Sequence, residues 1–187
     1  MGLRRHVRRA RYRALSAVEN VRDVRIARPA AVDAGEPRLR LLFVCLGNTC
    51  RSPLAEGILR SLLAARGIAG VEVASAGTSG RTDGMPADPR ARRVARERGV
   101  DLREHRARGF RAEDFERFDR IVVFDRGNLE TVLGQARSDE DRAKVSLLLG
   151  EGEVADPVAG DRDAFDRTYD EIAAACERLV AELDPKL

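Results

Sequence analysis

Two cysteines, an arginine and a serine lie close together in one short segment, VCLGNTCRSP, which spans residues 44–53. A cysteine thiolate is a strong nucleophile, and a thiolate below a bound phosphoryl group can attack phosphorus. The planar guanidinium of Arg51 can hold two oxygens of a tetrahedral dianion, which a lysine cannot do. The segment therefore predicts a loop that binds phosphate, with Cys45 as the nucleophile and Arg51 as the group that holds the phosphoryl oxygens.

The conformation expected for this segment is that of an anion-binding loop ahead of a helix. Ser52 is typical of a helix N-cap, and Pro53 suits the first helical position, where a missing N–H costs nothing. Gly47 and Asn48 tolerate the positive φ angles of a tightly curled loop. Successive backbone N–H groups and the helix dipole then point at one place, and the same positive potential favours the thiolate of Cys45.

Each of the three cysteines also has a plainer interpretation. An isolated Cys45 would be a buried structural residue, but its position ahead of Arg51 and Ser52, between a predicted strand and helix, favours the nucleophile. Cys50 is either buried packing or a partner that captures oxidised Cys45 in a reversible disulfide. Cys176 lies on the apolar face of the last predicted helix and is expected in the core.

The elements that must position this loop alternate between strands and helices. Residues 39–44 form a short apolar run typical of a buried parallel strand. The further segments are predicted as a helix at 53–66 closed by Gly67, a strand at 71–74, a turn-rich stretch at 75–89, a helix at 91–98, a strand at 121–124, a helical patch at 128–133, a strand at 145–149 and a helix at 163–183. Such alternation predicts an α/β domain with a parallel sheet and right-handed crossovers.

Residues 1–38 differ in composition from the rest of the chain. They carry ten arginines against four acidic residues, whereas residues 39–187 have a net charge of −3. We expect 1–38 to be a basic N-terminal extension and linker, with a disordered tail as the first interpretation. The alternatives are an amphipathic helix that binds an anionic membrane or a partner, an Arg-rich transit peptide, and translated sequence upstream of the true start. Because the basic charge is confined to this segment, nucleic-acid binding by the remainder is not indicated.

Composition and motif content exclude several function classes. The chain has 187 residues, 43% hydrophobic and 35% charged, which predicts one globular domain at residues 39–187. Three cysteines without a secretory signal predict a reducing, cytoplasmic location, and no apolar run approaches the roughly 20 residues of a membrane span.

Neither a metal site nor a cofactor site is indicated. The chain has two histidines and no cysteine pair outside the loop, so a metal site would lack ligands. A G-x-G-x-x-A match at 150–155 lacks the helix and βαβ unit of a dinucleotide site, so no cofactor is predicted.

The segment at residues 44–53 resembles the signature V-C-x-G-N-x-C-R-S-P of the low-molecular-weight protein tyrosine phosphatase family. The resemblance covers residues 39–187 and implies a single three-layer α/β domain with a four-stranded parallel sheet. It also implies that Asp156, in Asp156-Pro157 ahead of the last helix, is the general acid that acts with Cys45 and Arg51. The phosphate-binding loop then consists of Leu46, Gly47, Asn48, Thr49, Cys50 and Ser52.

Further positions match the same family. They are Ser75-Ala76-Gly77-Thr78, His105-Arg106-Ala107-Arg108, and Asp125 with Asn128. In the family, the residues that correspond to four positions form a hydrogen-bonded network beneath the loop: Asn48, Ser52, Ser75 and His105. Taken singly, these are turn and surface polar residues. The joint match favours the network, with Ser75 and His105 as residues that support the loop.

The activity implied by the resemblance is hydrolysis of phosphomonoesters through a cysteinyl-phosphate, with phosphorylated proteins as substrates. Phosphotyrosine proteins are the default substrate. Tyrosine-specific members, however, carry aromatic residues where Val158 and Ala159 stand, and tend to carry Trp near the position of Arg81. Thr49 and the missing aromatics resemble a protein-arginine phosphatase branch of the family, which is the alternative activity.

Two remoter alternatives are an arsenate reductase and a catalytically silent phosphate-binding module. Arsenate reductases that resemble this family need further cysteines to relay a disulfide, and none lies between Cys50 and Cys176. A silent module is not expected to retain Cys45, Arg51 and Asp156 together. No oligomeric state is predicted.

Overall fold

The computed structural model describes residues 37–183, and the expectations for residues 1–36 lie outside the described residues. The elements follow in this order: β1 (Leu39–Cys45), α1 (Arg51–Ala65), β2 (Val71–Gly77), α2 (Pro89–Glu97), α3 (Asp114–Arg117), β3 (Arg120–Val123), α4 (Arg126–Leu133), α5 (Asp139–Ala143), β4 (Val145–Leu147) and α6 (Arg162–Leu183). Two short 3₁₀ turns lie at Gly80–Thr82 and Pro157–Ala159.

The four strands form one sheet in the order β2-β1-β3-β4. Every pairing is parallel, and Cys45 at the end of β1 is the register partner of Gly77 at the end of β2. Parallel strands need crossover connections, and helices in these connections cover both faces of the sheet, which is why the interior of β1 is uniformly apolar. The predicted four-stranded parallel α/β sheet is confirmed.

Alternate residues of β1 point into two separate hydrophobic layers. Leu41 and Phe43 pack in the larger layer, together with buried residues of α1, α2 and α6. Leu42 and Val44 pack in the smaller layer, which includes Phe115 of α3 and Val132 of α4. Helices on both faces of one sheet make the predicted three-layer arrangement.

The longest described helix, α6, follows the predicted apolar pattern. The positions that the pattern assigns to its inner face are all buried: Phe165, Tyr169, Ile172, Cys176, Leu179 and Leu183. Burial raises the pKa of the Cys176 thiol to about 12, and the predicted core position of this cysteine is confirmed. Among residues 37–183, no helix combines the length and the apolar character needed to cross a membrane.

Some boundaries differ from the prediction. β2 continues to Gly77 rather than ending at residue 74, because residues 75–77 pair with the end of β1. α1 begins at Arg51 rather than at Pro53, and β4 ends at Leu147 rather than at residue 149. The short helices α3 and α5 were outside the reach of the hydrophobic pattern, since neither is long enough to show a helical period.

Candidate active site

The segment between β1 and α1 lies at the carboxyl edge of the sheet, where ligand sites of parallel α/β sheets form. The end of β2 supports it, since Thr78 N donates to the Cys45 carbonyl oxygen at 2.8 Å. At Gly77 the two backbones approach so closely that a Cβ atom would lie 2.8 Å from the carbonyl oxygen of Leu46 and 2.9 Å from Asn48 N. Glycine at this position therefore allows β2 to hold the loop from below.

Asn48 turns the loop. Its φ of 51° lies in the left-handed region, which asparagine tolerates better than most residues, as predicted. The same expectation for Gly47 is wrong, because among the described residues the positive φ angles of this loop are confined to Asn48. The Gly47 carbonyl oxygen instead accepts a 2.6 Å hydrogen bond from Thr82 Oγ1. With the chain turned in this way, Asn48 N lies 3.3 Å from Cys45 Sγ.

Ser52 does not cap α1, and this correction bears on the chemistry. The N-cap residue is Cys50, with no side-chain cap, so that Ser52 lies inside the first turn and Pro53 is not the first helical residue. The Ser52 hydroxyl is 3.0 Å from Cys45 Sγ and 3.2 Å from the Ala76 carbonyl oxygen. Because α1 begins at Arg51, the Ser52 hydroxyl lies beside the Cys45 sulfur atom and not at the helix end.

A buried network of polar side chains lies beneath the loop. Asn48 Nδ2 donates to Ser52 Oγ and to Ser75 Oγ, both at 2.9 Å, and its Oδ1 accepts from Arg108 N at 2.9 Å. His105 Nε2 lies 2.8 Å from the Asn48 carbonyl oxygen, which can only accept, so Nε2 carries the hydrogen. The structure thus brings Ser75 and His105 into contact with the loop.

Glu56 fixes the direction of these hydrogen bonds. The Ser75 hydroxyl donates to Glu56 Oε2, and Arg60 Nη1 pairs with Glu56 Oε1 at 2.9 Å. Because Asn48 uses both Nδ2 hydrogens on the two serine oxygens, Ser52 must direct its own proton elsewhere. Its remaining acceptors are Cys45 Sγ and a backbone carbonyl, so the network leaves a hydroxyl donor beside the sulfur.

The Arg51 side chain is 2% exposed, and three acceptors hold its guanidinium group. Nη1 donates to Asp125 Oδ2 at 2.6 Å and to the Val154 carbonyl oxygen at 3.0 Å, and Nη2 donates to Asp156 Oδ2 at 2.8 Å. Its Nε is buried and has no partner among the described residues. A donor left over in this way is available for a phosphoryl oxygen.

The electrostatics of Arg51 follow from these neighbours. Burial opposes its positive charge, but the negative charge of Cys45 and the carboxylates of Asp125 and Asp156 outweigh burial and raise the pKa of the guanidinium above its ordinary value. Its plane also lies near the Phe124 ring, 5.8 Å from the centroid. A permanently charged, positioned guanidinium is thus built into the site before any substrate binds.

Two aspartates reach Arg51 from loops at the same edge of the sheet. Asp125 follows β3 and caps α4, where its Oδ1 accepts from Asn128 N at 2.7 Å. Asp156 precedes the 3₁₀ turn at Pro157–Ala159, and its Oδ1 accepts from Val158 N at 3.1 Å. The Asp156 side chain keeps 31% of its surface exposed, which leaves it accessible to a substrate.

The sequence pattern assigns no role to Asp125, which pairs with Arg51, and gives no prediction for Glu56, which accepts from Ser75. Asp125 stands 74 residues beyond Arg51, so no local spacing connects them. Glu56 is four residues after Ser52 on α1, and this helical spacing was the available signal for a shared face. Among residues 37–183, no three His, Cys, Asp or Glu side chains are grouped closely enough to hold a metal ion.

Cys50 lies in the larger hydrophobic layer with Cys45. Burial, followed by the charge of Asp88, raises the pKa of the Cys50 thiol to about 12. Its Sγ is 3.8 Å from Thr49 Oγ1. Cys50 is therefore packed in the core and protonated at neutral pH, and the capture of oxidised Cys45 stays a prediction.

The exposed large apolar side chains of the described residues are Leu46, Met85 and Val158, and each belongs to a segment that is part of this loop or is hydrogen-bonded to residues of the site. Leu46 directly follows Cys45, and Val158 is bonded through its amide to Asp156. Met85 N donates to the carbonyl oxygen of Thr82, whose hydroxyl in turn holds the loop. The site thus has an aliphatic rim, with no aromatic side chain at Val158 or Ala159.

Comparison with known proteins agrees with this geometry. A model of the family described as low molecular weight phosphotyrosine protein phosphatase matches residues 40–187. A low molecular weight protein-tyrosine-phosphatase of Streptomyces coelicolor is 39% identical over 151 residues, which cover 76% of this chain and 92% of that protein. A crystal structure of a protein tyrosine phosphatase from Entamoeba histolytica has a TM-score of 0.74 and 32% identity over 80% of this chain and 99% of that one.

A further solved structure is that of the YwlE arginine phosphatase of Bacillus subtilis, in a variant with a phosphorylated active-site serine. Its TM-score is 0.72 and its identity 29%, over 78% of this chain and 96% of that one. A cysteine–arginine loop at the end of the central strand of such a sheet defines a cysteine-dependent phosphatase fold. The chain belongs to the low molecular weight phosphotyrosine protein phosphatase family, whose members are cysteine-dependent hydrolases, and the predicted family and enzyme class are confirmed.

Proposed function

We propose that this chain hydrolyses phosphate monoesters on proteins through a covalent cysteinyl-phosphate. The observation that carries the proposal is the surroundings of Cys45 Sγ, which lies 3.0 Å from Ser52 Oγ and 3.3 Å from Asn48 N at the end of β1. Both groups can donate a hydrogen bond to a thiolate, and other contacts fix both of them. Such donors stabilise the sulfur anion and aim it at the ligand held by the loop.

In the first step, Cys45 Sγ forms a bond to phosphorus while the bond from phosphorus to the leaving oxygen breaks. Arg51 Nε and the loop amides donate to the equatorial phosphoryl oxygens as charge is redistributed in the transition state. Asp156, in its protonated form, donates its proton to the leaving oxygen, so that a neutral hydroxyl product departs. Its exposed carboxyl group, next to the guanidinium proposed to hold the phosphoryl oxygens, supports this role by position.

In the second step, a water molecule attacks the cysteinyl-phosphate. The carboxylate of Asp156 takes one proton from the water, the new oxygen–phosphorus bond forms, and the sulfur–phosphorus bond breaks. Inorganic phosphate is released and Cys45 returns as a thiolate. The Ser52 hydroxyl assists this step because it donates a hydrogen bond to the departing sulfur.

Phosphotyrosine proteins are the substrates that we propose first. The relatives in this family are named as protein-tyrosine-phosphatases. The aliphatic rim of Leu46, Met85 and Val158 offers apolar surface to an aromatic ring, and burial of that ring supplies binding energy.

Phosphoarginine proteins are the second candidate, and a specific observation favours them. The Thr49 hydroxyl lies at the loop surface beside Gly47, where an added Cβ would be 3.5 Å from Thr49 Oγ1. A small hydroxyl leaves room for a planar guanidinium and can hydrogen-bond to it. The similarity to the YwlE arginine phosphatase and the missing aromatics at Val158 and Ala159 support the same substrate.

Two further expectations belong to this proposal. Residues 39–187 form the phosphatase domain, which residues 1–38 precede as a basic extension. The protein acts in the cytoplasm, because its reaction needs Cys45 reduced and a reducing compartment preserves free thiols.

The substrate assignment is tested by comparing kcat/KM for two peptides of one sequence, one with phosphotyrosine and one with phosphoarginine. Thr49→Ile should shift the ratio toward phosphotyrosine by about tenfold, since a change of this size in a pocket is worth roughly 1–3 kcal/mol. Thr131→Ile on α4, where the Thr131 hydroxyl bonds to the Gly127 carbonyl oxygen, is the matched control. A ratio unchanged by Thr49→Ile removes Thr49 as a specificity element, and a folded wild type that hydrolyses neither peptide contradicts the proposed function.

A further inference from the structure

A groove of about 600 Å³ runs along the exposed side of α2, and none of its lining residues belongs to the phosphate loop. Its charged lining residues are four arginines and one aspartate: Arg92, Arg93, Arg96, Arg103 and Asp101. The proposed reaction uses none of them. A surplus of positive charge in a concave surface attracts an anionic ligand.

The floor of the groove is apolar and firmly packed. Val100 and Leu102 line it from below and are both buried, and Pro89 lines the end where α2 begins. A Cβ atom on Gly57 of α1 would lie 2.7 Å from Val100 Cγ1 and 2.8 Å from Leu102 Cδ2, so these side chains rest directly on α1. The groove therefore joins a fixed aliphatic floor to a basic wall.

The positive charge is not cancelled within the groove. Two arginines have acidic partners close by in the chain: Arg93 with Glu97 at 3.0 Å and Arg103 with Asp101 at 2.7 Å. Arg92 and Arg96 are exposed and form no ion pair with any residue that the structure describes. Hydrogen bonds from Arg103, then its charge and that of Arg92, lower the pKa of Asp101. Arg96 is therefore the least compensated of the four. Since residues 39–187 carry a net charge of −3, the groove is a local reversal of the charge of this part of the chain.

The groove adjoins the catalytic loop. Just before α2, Asp88 N donates to the Thr49 carbonyl oxygen at 2.8 Å, and just after Arg103 the His105 ring bonds to the backbone of the loop. Arg96 lies seven residues along α2 from Pro89, which is about 10 Å at 1.5 Å per residue. An extended peptide covers that distance with about three residues.

We propose that this groove docks an acidic segment of the phosphoprotein substrate, with carboxylates on Arg92 and Arg96 and an aliphatic side chain on the floor. This inference rests on the proposed phosphatase function and names a feature of its substrates. Guanidinium groups pair well with carboxylates, and the alkyl stems of arginine cover apolar surface. A nucleic acid fits less well, because the lining has no aromatic side chain on which a base can stack.

The test uses two phosphopeptides that differ only in a run of four residues, Glu or Gln, placed four to eight residues from the phosphorylated one. The full-length protein is compared with Arg92→Gln/Arg96→Gln. The control Arg167→Gln/Arg178→Gln removes the same charge from exposed positions on α6, outside the groove. For the wild type and the α6 control, kcat/KM should be roughly 3- to 10-fold higher for the Glu peptide, because its KM is lower. High salt should abolish this preference. For the groove variant, the ratio of the two kcat/KM values should be near one.

Equal kcat/KM for both peptides in the wild type, or the same loss in the α6 control, overturns the docking site. Turnover of p-nitrophenyl phosphate should be unchanged in every variant. If neither the wild type nor any variant turns over this substrate, the result contradicts the phosphatase function and not the docking site. Fluorescence anisotropy with the unphosphorylated Glu peptide then decides the groove independently. A single-stranded oligonucleotide that binds more tightly than this peptide, and loses binding in the groove variant, also overturns the proposal.

Discussion

Arginine serves two regions of this molecule in opposite ways. Arg51 is buried in the phosphate loop, where three fixed acceptors hold it and a free Nε remains for a ligand. Arg92 and Arg96 stand on the open wall of the α2 groove, four and eight residues after Asp88, whose N–H donates to the same loop. Both regions use arginine, but Arg51 is buried with three partners, whereas Arg92 and Arg96 are exposed and form no ion pair with a described residue.

The difference shows what each region can do. A buried, preorganised guanidinium acts at short range with defined geometry, and salt hardly screens it. An exposed guanidinium keeps its side-chain freedom and contributes a small, salt-dependent attraction. The loop is suited to stabilise a transition state, and the groove is suited to select which chains reach the loop.

The same conservative substitution in both regions should separate these roles most clearly. Arg51→Lys loses the planar fork and should lower kcat/KM for an aryl phosphate by about 10²–10³-fold, as for the loss of an oxyanion donor. Arg96→Lys keeps an exposed charge and should stay within about twofold of the wild type. Steady-state kinetics and circular dichroism check both variants, and a comparable loss in the two would remove the distinction between the regions.

Ser52→Ala tests the buried network within the loop region. The lost hydrogen bond to the Cys45 thiolate should cost about 1.5–3 kcal/mol, which is roughly a 10- to 100-fold fall in kcat, because the sulfur becomes a poorer leaving group. Ser61→Ala is the matched control on the same helix, since Ser61 Oγ donates to the Gly57 carbonyl oxygen and bonds to no other residue among 37–183. Wild-type kcat in Ser52→Ala would show that the hydroxyl serves only the fold.

Asp88 lies between the two regions, and its removal should have the smallest effect. Its side chain caps α2 by accepting from Arg90 N at 2.8 Å, so Asp88→Ala should lower the free energy of unfolding by about 1 kcal/mol. Burial opposes the charge of Asp88, but hydrogen bonds from Arg90 outweigh it and lower the pKa of the carboxyl. Its charge therefore stabilises the fold above the ordinary pKa of about 3.9, and this contribution fades as the pH falls through the lowered value.

Urea unfolding at neutral and acidic pH measures this effect. The difference between the wild type and Asp88→Ala should shrink in acid. Asp88→Asn, which keeps a capping side chain without the charge, should recover most of the stability at neutral pH. A difference that grows on acidification would contradict the assigned direction.

The parts that the sequence predicts well are those that depend on local pattern. An apolar run before a glycine-containing loop and a helix indicates β1, the loop and α1 with no knowledge of the rest of the chain. The parallel sheet follows from alternating elements, and the burial of Cys176 follows from helical spacing. The helix α5 was not predicted, because it is too short for a hydrophobic period, although Ser138 caps it by accepting from Asp141 N at 3.1 Å and is a residue type typical of a helix N-cap.

The parts that escaped prediction depend on contacts between distant segments or on the exact start of a helix. The partnership of Asp125 with Arg51 arises only when β3 is placed beside β1. Ser52 has the residue type of a cap, but its hydroxyl lies against Cys45 because the helix begins earlier. Gly47 has the freedom to take a positive φ, but one left-handed residue, Asn48, already turns this loop.

The most direct test of the account is to trap the covalent intermediate. In a rapid-quench experiment with p-nitrophenyl phosphate, the wild type and Ser52→Ala should release nitrophenol in a burst that approaches the enzyme concentration. The steady-state release that follows should be slower in Ser52→Ala, because breakdown of the intermediate is slower. Mass spectrometry of the acid-quenched protein should find the phosphate on Cys45, and Cys45→Ser should show no burst and at least about 10³-fold lower turnover while still binding vanadate. Linear release from the first turnover with no phosphate on Cys45, or near wild-type turnover in Cys45→Ser, would contradict the central claim.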